Sequence, residues 1–408
     1  MLLTFKTKIN PNKEQVEIIN NISNESRILY NFYLNEIKTY YETENKFISY
    51  YEQQNKLKEY KTNYITFDVK KEVLRLLHNN YKSFFELIKR NKDLKPQTPK
   101  FRGKNYFFTI SFTQDFIIKG NKLIISYVNK NRLEIPLEYN EPIKNLICIR
   151  NKSKSDIKQL KIYKNKNEYF VSITYEKKEE NIKENSQILS IDLGKKNLVS
   201  IYDPENKEGM IFSSKFLSMN QKYFDKRIDE LKSKRDKKKK GSIRYKKLNN
   251  KINKLNSKKR TQTNLCLQKL SKDLSNQNKT ILIGELTNLK KNTLNDIKKI
   301  NRQMQGNWNL MTFIRLLDYK CKLKGNKVIK VNEAWTSKTC CKCGEINHDL
   351  SLNDRSYICS CGNNLDRDIN GAINIYKQYM GDYNTPNDIQ ISYRFDWCNT
   401  NQTNKFKF

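Results

Sequence analysis

Histidine is almost absent from this chain: His78 and His348 are the only two in 408 residues. Neither lies in a candidate acidic motif, so histidine-based nuclease chemistry and a Ser–His triad both lack material. Long apolar runs are also missing. No stretch reaches the 18 apolar residues of a spanning helix, so no membrane span is expected. The opening Met1-Leu-Leu-Thr-Phe-Lys-Thr-Lys alternates like a strand and has no apolar core of a secretory signal. Acids are scarce as well, with 43 Asp and Glu against 79 Lys and Arg, a formal net charge of +36. Such a surplus repels itself unless a polyanion neutralises it, and nucleic acid is the partner this predicts.

Cysteine is concentrated instead of scarce. Of nine, five fall between Cys340 and Cys361, while Cys148, Cys266, Cys321 and Cys398 are scattered as small hydrophobes or surface thiols would be. The clustering favours zinc in a reducing compartment over a disulfide framework. Cys340, Cys343, Cys359 and Cys361 form the best set, a C-x2-C pair and a C-x-C pair separated by 15 residues. The second pair is one residue short of the usual C-x2-C, so Cys341 or His348 is an alternative ligand. Four protein ligands leave no open position, which makes the site structural and not catalytic.

Periodicity divides the chain. Leu3 to Ile9 alternates as a strand with one wet face. Asn12 and Gln15 resemble a capping box, and three helical stretches follow: Val16, Ile19 and Ile22; Leu29, Phe32, Ile37 and Tyr40; Val69, Val73, Leu76, Phe84 and Ile88. His78 is expected to pack within the third. From Phe107 to Tyr175 six short alternating runs, Leu146–Ile149 among them, suggest a small barrel that the first strand joins. A polar linker, Glu176 to Asn185, leads to the buried run Ile188–Ile191 and a hairpin with Leu198–Tyr202. Residues 222–260 hold 18 Lys and Arg against 4 Asp and Glu. Phe224, Ile228 and Leu231 give one seam there, and Tyr245, Leu248, Ile252 and Leu255 another. The pattern predicts an antiparallel helical hairpin with basic outer faces, broken at Gly241-Ser242. Thr280–Gly284 reads as a strand, Trp308–Leu323 as a helix, Lys327–Val331 as a strand and the stretch after Asp368 as a final helix. The tail beyond Met380 is polar and Asn-rich, with disorder expected.

Three acids each abut an apolar run: Asp192 after one strand, Glu285 after another, Asp368 at the start of the last helix. An unpaired carboxylate beside apolar residues costs several kcal/mol. Bound Mg²⁺ removes that cost. Phosphodiester hydrolysis by two divalent ions needs carboxylates converging on metals roughly 4 Å apart, and strand ends aim side chains rigidly.

With these residues in view, the chain resembles TnpB, the transposon-associated family of RNA-guided DNA endonucleases related to type V CRISPR effectors and Fanzor. The resemblance is carried by Ile191-Asp-Leu-Gly-Lys-Lys-Asn-Leu, Ile283-Gly-Glu-Leu, Tyr319-Lys-Cys-Lys-Leu-Lys-Gly, Thr336-Ser-Lys-Thr-Cys-Cys-Lys-Cys-Gly and Asp366-Arg-Asp-Ile-Asn-Gly-Ala-Ile-Asn-Ile, with Pro99-Lys-Phe a weaker match. It implies a multidomain α/β plus β-barrel fold. A wedge-type barrel (1–10 and 100–183) would carry an inserted helical recognition domain (11–99). An RNase H-like RuvC nuclease core (184–335 and 364–380) would include the basic hairpin (217–275) and a zinc-ribbon, target nucleic-acid-binding insertion (336–363), ahead of a polar tail (381–408). It places Asp192, Glu285 and Asp368 on the three RuvC acids, with Asp366 the runner-up to Asp368. It further implies two catalytic Mg²⁺ ions, one structural Zn²⁺, a guide RNA, a double-stranded DNA target and a monomeric protein within a ribonucleoprotein. The implied location is the bacterial or archaeal cytoplasm, at the nucleoid, or the nucleus for a eukaryotic or viral relative. Two rival expectations stand beside cleavage: a guided repressor that does not cut, and an unguided RNase H-like nuclease.

Overall fold

In the computed structural model, the described residues are 1–90, 96–128, 131–139, 141–143, 156–166, 168–182, 187–285, 310–351, 354–381 and 389–394. The chain divides into two compact units, Met1–Lys178 and Glu179–Phe408. No helix among the described residues is long and apolar enough to cross a membrane.

The first unit begins with strand β1 (Leu2–Ile9) and helix α1 (Lys13–Glu44). Asn12 accepts from the Gln15 backbone N–H and Gln15 reaches back to the Asn12 N–H, completing the expected capping box. No second cap interrupts the run, so the first two predicted helical stretches fuse into one helix, which ends at Asn45 in the left-handed region. A short helix α2 (Tyr50–Lys56), capped by Ser49 and Glu52, was not legible from periodicity at seven residues. Helix α3 (Phe67–Arg90) is the third predicted stretch. His78 packs there against the Phe47 and Tyr50 rings and hydrogen-bonds Gln53 Oε1 at 2.8 Å; burial pushes its pKa down.

Strands β2 (Ile110–Phe112), β3 (Phe116–Lys119), β4 (Lys122–Ser126), β5 (Arg132–Pro136), β6 (Ile157–Asn165) and β7 (Glu168–Glu176) complete this unit. They form a sheet of order β1-β7-β6-β2 and a second of order β3-β4-β5, connected by an Ile9–Leu137 bridge. The first strand does join the later ones, as its alternation suggested. One apolar core takes in Leu29, Leu34, Leu74 and Leu77 from the helices and Ile110, Ile125, Ile135 and Val171 from both sheets. The strand expected at Leu146–Ile149 lies outside the described residues.

The second unit is a mixed α/β layer structure. Strands β8 (Ile188–Asp192), β9 (Asn197–Asp203) and β10 (Glu208–Ser213) precede helices α4 (Lys215–Asp236) and α5 (Ile243–Ser275). Strand β11 (Thr280–Gly284), helix α6 (Leu310–Lys322), strand β12 (Val328–Val331), the hairpin β13 (Ser356–Ile358) and β14 (Asn364–Asp366), helix α7 (Arg367–Met380) and strand β15 (Gln390–Arg394) follow. The main sheet has the order β12-β11-β8-β9-β10-β15. Strand alternation splits its faces. Leu189, Ile191, Ile281 and Ile283 pack against Leu267, Leu270 and Leu274 of α5 and Phe313 and Leu317 of α6. On the opposite face, Ser190 Oγ donates to Ala372 O of α7 at 2.7 Å. Burying each of these Leu or Ile side chains stabilises the layer by about 1.5–3 kcal/mol.

Helices α4 and α5 form the predicted basic hairpin, with Phe224, Ile228 and Ile252 as its seam and Leu231 and Leu255 beside them. The distal half of α5 instead joins the main core. The expected tail is corrected in part: residues 390–394 add a strand parallel to β10. Alternation of Ile389, Ile391 and Tyr393 in the sequence outweighs the Asn-rich composition around it.

Candidate catalytic and metal sites

Strands β8 and β11 run parallel, in register from Ile188↔Thr280 to Ile191↔Ile283. Their carboxyl ends therefore share one sheet edge, where Asp192 closes β8 and Glu285 follows β11. Helix α7 brings Asp368 to the same edge in its first turn, with the Asp366 carboxylate accepting from the Asp368 N–H at 2.9 Å as an N-cap. The close approach depends on Gly371, where a Cβ would lie 3.0 Å from Asp192 Oδ2. Asn197 Nδ2 donates to Asp368 Oδ2 at 2.8 Å. Gly194 keeps that turn tight, since a Cβ there would meet Asn197 O at 2.6 Å.

Asp192 and Asp368 are thus brought together. Burial raises the Asp192 pKa well above its ordinary value, and the charges of Asp368 and Glu333 push it the same way, against the Arg367 charge and the Leu193 N–H. Burial also raises Asp368, with Asp366 adding to it, against the Asn197 hydrogen bond and the positive charges of Arg355 and Arg367. No Lys or Arg forms an ion pair with either aspartate among the described residues. Two buried like charges held side by side with no direct ion pair, offset only by Arg355 and Arg367 nearby, are a costly arrangement and suit a hard cation.

Glu285 follows β11 one residue beyond its last strand position. The only compact group of three or more potential ligands among the described residues is made of cysteines, so the three acids do not converge within the span of one ion. Register explains this. Continued past the ladder, strict alternation sets Gly284, not Glu285, beside Asp192. The acid that pushes Asp192 up, and is itself pushed up by Glu285, is Glu333, in the turn after β12. Burial, then Glu285, pushes the Glu333 pKa up to about 7. Glu333 is missing from the sequence-based trio, although it too follows shortly on an apolar strand.

The cysteines behave differently. The Sγ atoms of Cys340, Cys343, Cys359 and Cys361 all lie within 4.8 Å of one another. Cys340 and Cys361 are 3.7 Å apart, and Cys343 and Cys359 3.5 Å. The short C-x-C pair therefore closes the set. Cys341 points the other way, into a core with Ile369, Ala372 and Ile373, and burial pushes its thiol up to about 11. His348 instead packs its ring edge-on to Trp335. Burial opposes ionisation of Cys340, but the backbone N–H groups of Cys343 and Lys342 and the Asn363 amide outweigh it and bring the thiol down to about 7. Four converging thiols with one already near ionisation suit a soft-ligand metal such as zinc. The knuckle is bolted to α7: Asn374 Nδ2 donates to Thr336 O and Thr339 O, both at 2.7 Å, and Asn370 accepts from the Cys341 N–H at 2.9 Å.

Three family models match the chain: "Helix-turn-helix domain" over residues 1–46, "Probable transposase" of the OrfB/IS605 type over 171–294, and "Cas12f1-like, TNB domain" over 311–375. The first covers β1 and the continuous α1. Together they take in more than half of the chain. Over these segments the chain is similar to TnpB-like and Cas12f1 proteins. It is 31% identical over 194 residues to "TnpB-like protein L79" of Acanthamoeba polyphaga mimivirus, 46% of this chain and 36% of that one. It is 32% identical over 137 residues to a "Putative RNA-guided DNA endonuclease" of Streptomyces pristinaespiralis, 33% of each chain. Over 97 residues it is 31% identical to "CRISPR-associated endodeoxyribonuclease Cas12f1" of Sulfoacidibacillus thermotolerans, 24% of this chain and 21% of that one. The chain thus spans about a fifth to a third of the length of these curated relatives. Among solved structures it resembles Cas12f1 from a Cas12f1–sgRNA–target DNA complex, with a TM-score of 0.63 at 15% identity over 92% of this chain and 98% of that one. At that identity the likeness to Cas12f1 is one of fold.

Proposed function

We propose that the chain is an RNA-guided DNA endonuclease that cuts at a single RuvC-like site. The observation that carries this reading is that Asp368 and Asp192 are brought to one strand edge with no direct ion pair among the described residues, in a fold shared with Cas12f1. In this reading residues 184–335 and 364–380 are the nuclease core, 336–363 the zinc ribbon and 11–99 the recognition helices, while 1–10 with 100–183 are the wedge. Asp192, Glu285 and Asp368 would hold two Mg²⁺ ions, and Cys340, Cys343, Cys359 and Cys361 one Zn²⁺. Bound divalent metal would activate water and stabilise the leaving oxygen. The residues themselves do the positioning. Asn197 fixes the Asp368 carboxylate, Gly371 admits α7 to the strand end, and Arg355 and Arg367 moderate the negative charge. The basic faces of α4 and α5 suit phosphate backbones, and neutralising each phosphate makes affinity fall with salt. Guide RNA and double-stranded target DNA are the proposed partners.

The test is to purify the protein with its co-bound RNA, sequence that RNA, and supply a matched DNA duplex with Mg²⁺. Cutting only of the matched duplex supports the reading, and Asp192→Ala should abolish it while RNA and DNA binding persist. Cutting without a defined transcript would favour an unguided nuclease; guided binding without cutting would favour a repressor.

A further inference from the structure

Glu333 reaches the acidic edge by an unusual route. Strand β12 pairs with β11 in parallel, ending at the Gly284↔Val331 partners, and Glu285 N donates to Val331 O at 2.8 Å. Two residues later the chain turns: the Thr336 N–H and Oγ1 both bond Glu333 O, at 3.2 and 2.9 Å. This fixes the Glu333 backbone beside β11. The side chain then lies over Gly284, where a Cβ would sit 2.8 Å from Glu333 Oε2 and 3.3 Å from its Cβ. The register with β8 makes Gly284 the neighbour of Asp192 on the α7 face. Glu333 therefore fills the volume that a side chain from residue 284 would occupy, on the same face as Asp192 and within the electrostatic reach of both Asp192 and Glu285. Its carboxylate has no hydrogen-bond or ion-pair partner among the described residues.

We propose that Glu333 is a fourth carboxylate of the metal site, entering through the gap left by Gly284 and bridging the Asp192–Asp368 pair to Glu285. This rests on the acidic edge being a metal site at all. It accounts for two observations together: an acid beside the acidic edge whose carboxylate has no ion-pair partner among the described residues, and a glycine at the strand position beside Asp192. Any larger residue at 284 would displace the Glu333 carboxylate from the edge.

Mn²⁺ binding to the full chain with its RNA, followed by electron paramagnetic resonance, tests this independently of cleavage. Glu333→Gln should weaken Mn²⁺ binding by roughly 10–100-fold, the range for groups that support a metal site. Glu333→Asp should recover part of that loss. Gly284→Ala, which moves the flexible carboxylate end without changing charge, should weaken binding in the same direction and serves if Glu333→Gln fails to fold. Asp192→Asn is the control for the site itself. Unchanged Mn²⁺ affinity in Glu333→Gln and Gly284→Ala, with affinity lost in Asp192→Asn, overturns the role of Glu333 and leaves the metal site standing. Unchanged affinity in Asp192→Asn as well overturns the site.

Discussion

At one end of the sheet in the second unit, Asp203 is 4% exposed and meets Lys279 Nζ at 2.7 Å. The Asn206 amide and the Glu205 N–H also donate to Asp203, at 2.9 and 3.3 Å. At the other end, Asp192 and Asp368 face each other and Glu333 with no ion pair among the described residues. The strands are shared, so burial alone does not explain the contrast. One end spends a lysine and two N–H donors on a single carboxylate and gains rigidity. The other accumulates negative charge that Arg355 and Arg367 offset without a direct ion pair and that an added cation would relieve further, which is what a ligand site requires and a scaffold avoids.

The widest gap between the two ends should appear in cleavage. Asp192→Ala is expected to lower the rate of guided cutting by at least about a hundredfold. Because it removes a repelled charge, it should leave the metal-free protein as stable as before or more so. A fully active Asp192→Ala protein would erase the functional half of the contrast. Lys279→Met should do the reverse. It strands a buried Asp203 and should cost about 3–5 kcal/mol in denaturant unfolding, with the rate per folded molecule retained. A stability loss below about 1 kcal/mol would mean that the pair is not buried in solution.

Zinc sharpens the comparison from a third direction. The cysteine knuckle is fastened to α7 by Asn370 and Asn374, and α7 carries Asp368. Stripping metal from the cysteines, or Cys343→Ser, should release roughly one zinc per chain by elemental analysis. Amide protection along residues 367–380 should then fall by on the order of tenfold, while residues near the Lys279–Asp203 pair keep theirs. Equal loss at both ends would show that zinc holds the whole unit and not this edge.

Much of this was legible in the sequence because it rests on residue types in unusual places. Cysteines at C-x2-C and C-x-C spacing and acids abutting apolar runs stand out from single positions. Glu333 did not, because its place depends on the register of three strands and on the missing side chain at Gly284. That alternation sets Gly284, not Glu285, beside Asp192 was hidden for the same reason. Helix α2 is too short to show a period, and β15 was masked by Asn-rich composition. The fusion of two helical stretches into α1 followed from the absence of a second cap, a signal read by what is not there.

The smallest predicted effect is on pH dependence, and its sign separates the two ends. The folded Glu333 pKa is about 7 against an ordinary 4.5, so between those values the folded protein binds more protons than the unfolded chain. Stability of the metal-free protein therefore falls as pH rises through that window, opposite to the usual carboxylate case. Asp192 and Asp368 act in the same direction. The Glu333 share is on the order of 1–2 kcal/mol between about pH 4.5 and 7, allowing for solvent screening of a half-buried group. Saturating Mg²⁺ would replace those protons, so the slope in urea midpoint against pH should flatten when it is added. Glu333→Gln combined with Asp192→Asn should reduce the slope without any metal, leaving the Asp368 share, whereas Lys279→Met should lower the whole curve. A metal-free stability that instead rises from pH 5 to 8 would mean that the acids at this edge are individually compensated, as Asp203 is, and that the two ends of the sheet do not differ in kind.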